Sequence, residues 1–141
     1  MIVLDASAAV ELLLRMPSGD RVMVHLLEGE ATLHAPELHD IGVLHVLRRA
    51  IARGVMTARR AEQSVALLAS LPCRRHDHSA LRARCWQLRA NLSAYDAVYV
   101  ALAEALDGTL LTCDRHLANA RTHAARSPAV EQSEPAEYGY V

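Results

Sequence analysis

The chain has 141 residues, a formal net charge of −1, an apolar share of 52% and a charged share of 22%. These values fit one soluble domain around one core and exclude an intrinsically disordered chain. The near-neutral balance also excludes a global field drawing the protein onto nucleic acid, so any such binding would rest on local clusters. Those clusters would be arginine, because all 15 basic residues are Arg and Lys is absent. The guanidinium fork grips phosphate or carboxylate through two hydrogen bonds, which an ammonium does not do.

Ile2-Val3-Leu4 is a short apolar run ending at Asp5 and reads as a buried strand. Ser7 offers an N-cap to a helix running to about Leu14. Pro17-Ser18-Gly19 breaks the chain, and a second helix is expected over 20–28, ended by Gly29. A second strand is expected over 31–35. Pro36 then opens a long helix over 37–53, stopped by Gly54. Thr57 caps the next helix, which ends before Pro72, and a third strand follows over 73–76. A helix over 78–90 comes next, then one capped by Ser93 that runs to about Leu106. Asp107-Gly108 is a turn, 109–113 a fourth strand, and Asp114 opens a helix to about Thr122. Residues 128–131 read as a fifth, edge strand. Strands alternating with helices predict an α/β fold, with a parallel sheet of four or five strands between helical layers. With no repeat or linker, the chain reads as one domain over 1–132 with a loose tail over 133–141.

Cys73, Cys85 and Cys113 are odd in number, scattered, and form no C-x-x-C pair. They are expected as reduced thiols in a cytoplasmic protein. No basic segment precedes Asp5, so no signal peptide is expected. The apolar stretch 97–106 contains Glu104 and is too short to span a bilayer.

Ligands of open parallel sheets bind outside the carboxyl ends of the strands. Asp5 closes the first expected strand, Asp114 closes the fourth, and Asp96 lies in the first turn of the helix before the fourth. Three carboxylates converging at one sheet end would repel one another, and a hard divalent cation would relieve that repulsion. Such a site suits phosphodiester cleavage by an activated water. Each acid also has an ordinary structural explanation. Ser93-Ala94-Tyr95-Asp96 matches a capping box, Asp114 suits an N-cap, and Asp5 suits a strand end.

Three blocks carry a family resemblance: Ile2-Val3-Leu4-Asp5-Ala6-Ser7-Ala8, Leu92-Ser93-Ala94-Tyr95-Asp96-Ala97 and Leu111-Thr112-Cys113-Asp114-Arg115. In this order and spacing the chain resembles the PIN-domain family, and more narrowly the VapC-type ribonuclease toxins of bacterial toxin–antitoxin pairs. The resemblance implies a three-layer α/β/α domain with strand order 3-2-1-4-5. It implies RNA cleavage dependent on Mg²⁺, with Mn²⁺ as a substitute, and Asp5, Asp96 and Asp114 as metal-holding catalytic acids. It also implies a homodimer or toxin–antitoxin hetero-oligomer, with a VapB-like antitoxin over the active site.

The family's fourth acid, a glutamate on the helix after strand two, falls by resemblance on Gly42. Asp40 and Glu37, two and five positions away, point to other helix faces. Gly inside a helix costs about 1 kcal/mol relative to Ala, so the residue breaks a local rule where function is expected. Gly42 implies a weakened or inactivated nuclease. The alternative is a non-catalytic PIN-like protein that still binds antitoxin and RNA.

Ser7, Ser93 and Thr112 are candidates to orient the carboxylates, and Arg115 to contact RNA. Arg48, Arg49 and Arg53 end the long helix and suit its dipole, while Arg74, Arg75, Arg82, Arg84 and Arg89 offer further phosphate or partner contacts. Asn91 lies near the expected site with no assigned role. Cys73, His76 and His78 do not match a zinc finger, and His39 and His45 do not share a helix face. There is no G-x-G-x-x-G and no Walker glycine–lysine loop.

Overall fold

A computed structural model of the chain describes residues 1–15 and 31–119, together with Asp20, Met23, Val24, Leu26 and Leu27. Four strands, β1 (Ile2–Leu4), β2 (Leu33–Pro36), β3 (Cys73–His76) and β4 (Thr109–Leu111), form one sheet in the order β3-β2-β1-β4. Every pairing is parallel, and the central β1 sets Val3 beside both His34 and Leu110. The helices are α1 (Ala6–Leu13), α2 (His39–Ala52), α3 (Ala58–Ser70), α4 (Arg82–Gln87), α5 (Ala94–Ala105) and α6 (Arg115–Asn119). A 3-10 turn, Ser79–Leu81, leads into α4. The described positions between 20 and 27 are helical, as expected.

Alternation along the central strands builds the three layers. Leu4 and Leu111 point into a core made with α1, α2 and α3, including Ala9, Val10, Val43, Leu47 and Leu68. Val3 and Leu110 point the other way, into a core filled by α5 with Leu81, Leu88 and Leu92. This is the expected α/β/α architecture and strand order as far as β4. The expected fifth strand, the end of the last helix beyond residue 119, and the 133–141 tail lie outside the described residues.

Several boundaries differ from the sequence reading. Asp5, not Ser7, is the N-cap of α1: its backbone is extended at φ −74° and ψ 155°, and its carboxylate accepts from the Ser7 amide. Pro36 ends β2 rather than starting a helix. It lies beyond the β1 pairing, which ends at His34, so its missing N–H costs no ladder bond on that side. The expected helix over 78–90 shortens to α4. The chain then doubles back so that Leu88 and Leu92 both reach the core. β4 stops at Leu111 because the next amides leave the ladder: Cys113 N–H donates to the Ser7 hydroxyl and Asp114 N–H to the Thr112 hydroxyl. In the turn before β4, Gly108 is required by close approach. A Cβ there would stand 3.0 Å from the Met1 carbonyl oxygen.

Among the described residues no helix is long and apolar enough to cross a membrane. The three cysteines are free thiols.

Candidate active site

The carboxyl ends of the parallel strands β1 and β4 lie side by side. Helix α5 precedes β4 and returns the chain to its start, which puts the N-terminus of α5 at that same end of the sheet. Asp5, Asp96 and Asp114 therefore share one end of the domain, two from strand ends and one from a helix start.

Asp5 is the buried member, at 7% exposure. Its Oδ2 accepts from the Ser7 hydroxyl at 2.5 Å, the Thr112 hydroxyl at 2.9 Å and the Ser7 amide at 3.3 Å. None of these three bonds reaches Oδ1. Burial pushes the Asp5 carboxyl above its ordinary pKa, and the hydrogen bonds from Ser7, Thr112 and the Ala6 amide only partly oppose this. Keeping Asp5 ionised thus costs free energy that a cation would offset.

The hydroxyls that hold Asp5 also hold the start of the 112–114 segment. Ser7 Oγ accepts from Cys113 N–H at 2.9 Å, and Thr112 Oγ1 accepts from Asp114 N–H at 3.0 Å. Asp114 is thereby linked to Asp5 through one threonine. Its Oδ1 caps α6, accepting from His116 N–H at 2.7 Å and Leu117 N–H at 3.4 Å. Asp96 forms half of the expected capping box: its amide donates to Ser93 Oγ at 3.1 Å, but its Oδ2 accepts from the Ser93 hydroxyl, at 2.8 Å, in place of the Ser93 amide. The Tyr99 phenol lies one helical turn on. Burial raises its pKa most, and the negative charges of Asp5 and then Asp96 add to the rise.

Each acid therefore has a structural duty as well as a shared location. Among the described residues, no three His, Cys, Asp or Glu side chains converge closely enough to form a preformed metal cage. The donors are hard, anionic oxygens, and Mg²⁺ sites typically use only one or two carboxylates, completed by water and substrate phosphate. A buried carboxylate anchored through Oδ2 alone by its neighbouring hydroxyls fits that kind of open site.

Gly42, on α2, faces Ala6 and the Tyr99 hydroxyl. A Cβ at Gly42 would stand 3.2 Å from Ala6 Cβ and 3.7 Å from the Tyr99 hydroxyl. The nearby acids look elsewhere: Asp40 pairs with Arg75 at 2.6 Å on β3, and Glu37 is exposed. Arg115 is exposed beside Asp114. Of the other arginines, Arg84 is paired with Glu104 at 2.6 Å. The histidines gather differently from any zinc motif. His34 Nδ1 lies 2.8 Å from His76 Nε2, and His78 Nε2 accepts from the Leu38 amide.

Two buried polar residues near the site, Tyr99 and Glu11, are not singled out by the sequence reading, and a third, His39, is weighed there only as a zinc ligand. Tyr99 and His39 form a hydrogen bond of 3.2 Å between the hydroxyl and Nδ1. Spacing could have found both: Tyr99 lies three residues after Asp96 and His39 three before Gly42, hence on the same helical faces. Glu11 is 2% exposed on α1, one turn after Ser7. Its charge joins burial in raising the Cys113 thiol.

The model of the PIN domain family matches residues 2–122. Ribonuclease VapC12 of Mycobacterium tuberculosis is 43% identical over 125 residues, covering 89% of this chain and 95% of its own. The VapC ribonuclease Mb0985 of Mycobacterium bovis is 41% identical over 119 residues, covering 84% of this chain and 90% of its own. Among solved structures, M. tuberculosis VapC20, described as a sarcin-ricin loop cleaving toxin, superposes with a TM-score of 0.62 at 14% identity, over 83% of this chain and 92% of that one. VapBC2 from Rickettsia felis, bound to a promoter DNA fragment, gives 0.58 at 17% identity, over 81% of this chain and 89% of that one. The structures share the fold and the closer relatives share the sequence: the chain belongs to the PIN-domain family, among the VapC ribonucleases.

Proposed function

We propose that this VapC-type endoribonuclease toxin cleaves RNA at the end of the sheet bearing Asp5, Asp96 and Asp114, with activity weakened by Gly42. Its ribonuclease class follows from its family. The three acids would hold Mg²⁺, with Mn²⁺ as a substitute, directly or through water. When bound, such a cation supplies charge neutralisation at the phosphate and activation of water. The rest is done by the chain. Ser7 and Thr112 fix the Asp5 carboxylate, Thr112 and the α6 cap fix Asp114, and Ser93 fixes Asp96. Arg115 offers an exposed guanidinium to a phosphate oxygen.

The observation that carries this reading is the buried Asp5 carboxyl, hydrogen-bonded by two hydroxyls that also hold the segment bearing Asp114. A purely structural cap would not need that burial. The R. felis complex supports a VapB-like antitoxin as partner, and a homodimer or toxin–antitoxin hetero-oligomer is the assembly proposed with it. The second reading is a PIN-like protein that binds antitoxin and RNA without cleaving. It is favoured by glycine at the position where the family carries its fourth acid. RNA cleavage with and without Mg²⁺ separates the two, comparing the native chain with Gly42→Glu and Asp96→Asn. Metal-dependent cutting lost in Asp96→Asn supports the enzyme. If neither the native chain nor Gly42→Glu cuts, the non-catalytic reading stands.

A further inference from the structure

Large aromatic side chains normally fill cores, and this chain has few, with one Trp, four Tyr and no Phe. Of the described aromatics only Tyr99 is buried. Trp86 is 69% exposed and Tyr95 is 72% exposed. Both sit on the segment that leads into the active-site helix. Trp86 lies near the end of α4, and Tyr95 precedes Asp96 in the first turn of α5. The turn between them is pinned at both ends by the buried Leu88 and Leu92. α4 is also clamped to α5, because Arg84 donates to both carboxylate oxygens of Glu104, at 2.6 Å and 2.9 Å. The exposed indole is therefore mounted on a fixed base.

It is also pre-arranged. The Arg89 guanidinium lies over the Trp86 ring at 4.8 Å from its centroid, and its Nη1 donates to the Trp86 carbonyl oxygen at 2.8 Å. An indole layered with a guanidinium presents flat, cationic surface. That surface suits a partner with a π-face and a phosphate, rather than an apolar peptide. It gains nothing for folding by lying in water.

We propose that Trp86 and Arg89, with Tyr95 just before Asp96 in the chain, form a stacking platform for unpaired bases of the RNA substrate flanking the cleaved bond. Stacking on an aromatic tolerates any base, so the platform would anchor the strand without reading its sequence. The proposal rests on the nuclease reading above and names positioning residues for it. None of the three residues needs to touch the reacting phosphate.

Trp86 is the sole tryptophan, so its fluorescence reports on the platform directly. The test titrates the full chain with a short single-stranded RNA in the presence of a chelator, which separates binding from cutting. Fluorescence anisotropy of the labelled RNA measures binding in parallel. The expected result is quenching of the indole as RNA binds, and much weaker quenching by the same oligomer made abasic. Trp86→Ala should weaken binding roughly ten-fold, Trp86→Phe should restore most of it, and Arg89→Gln should fall between. Circular dichroism and antitoxin capture should be unchanged in all three. RNA binding without quenching, or Trp86→Ala binding as tightly as the native chain, overturns the platform alone. Loss of antitoxin capture in Trp86→Ala with RNA binding intact also overturns it, by assigning the surface to a protein partner. If the native chain binds no RNA, the nuclease reading falls too.

Discussion

Gly42 and Ala6 are packed so closely that a methyl group at 42 would stand 3.2 Å from the Ala6 methyl, just after Asp5 in the chain. A side chain at 42 would project beside the Tyr99 hydroxyl, which feels the charges of both Asp5 and Asp96. Gly42→Glu should therefore add a carboxylate beside the Tyr99 hydroxyl and Ala6, which is next to Asp5 in the chain. We expect metal-dependent RNA cleavage to rise by about ten-fold or more, as metal sites change when a supporting group is altered. Without metal the added charge should destabilise the fold, and Mg²⁺ should raise its melting temperature more than it raises the native one. Gly42→Ala is the control, since it adds the tight Cβ without the charge. Equal activity and equal Mg²⁺ response in all three forms would show that residue 42 is not at the site.

Asp5→Asn tests whether the buried carboxyl is held ionised at a cost. Burial raises its folded pKa above the ordinary 3.8. Its stabilising contribution is then complete below that value and is lost as pH rises through the folded one. Asn caps a helix as well as Asp and carries no charge. The variant should be more stable than the native chain at neutral pH, by about 1.4 kcal/mol for each unit of the shift, with the gain vanishing in acid. RNA cleavage should be lost. Urea denaturation across a pH series measures this, and a variant no more stable at neutral pH would contradict it.

These two residues also mark how far the sequence could be read. The apolar run ending at Asp5, the Ser93 cap and the Thr57 cap were all legible, because each depends on neighbours in the chain. The capping role of Asp5 was not. Ser7 looked like the cap until the fold brought Cys113 and Thr112 beside it, giving its hydroxyl other partners. The close contact of Gly42 with Ala6, and the His39–Tyr99 bond across two helices, likewise arise only from packing. Helix ends differ from the sequence expectation where a tertiary demand overrides propensity, as at Leu88, which leaves α4 to enter the core.

His39→Gln addresses acid stability. His39 is fully buried and its pKa is lowered from 6.5 to about 4, by burial first and then by the Arg75 charge. Among the described residues its Nε2 is the one buried side-chain polar atom with no hydrogen-bond partner. The folded state must bind a proton there late. Its contribution is therefore complete above 6.5 and is lost as pH falls from there to about 4. His34 and His76, also lowered, act in the same direction, while Asp5 opposes them. Gln cannot titrate, so the variant should lose less stability than the native chain between pH 6.5 and about 4, by up to roughly 3 kcal/mol. Parallel losses in both proteins would assign the acid sensitivity elsewhere.

Asp114 has two duties that separate by substitution. As the cap of α6 it accepts two amides through Oδ1, a task asparagine performs equally well. As a proposed cation ligand it needs its charge, which asparagine lacks. Asp114→Asn should therefore keep native stability and lose metal-dependent cleavage. Asp114→Ala should lose the same cleavage and about 1 kcal/mol of stability as well. Thermal melts paired with RNA cleavage distinguish these outcomes. If Asp114→Asn cuts RNA as fast as the native chain, the residue is a cap alone, and the cation would rest on Asp5 and Asp96.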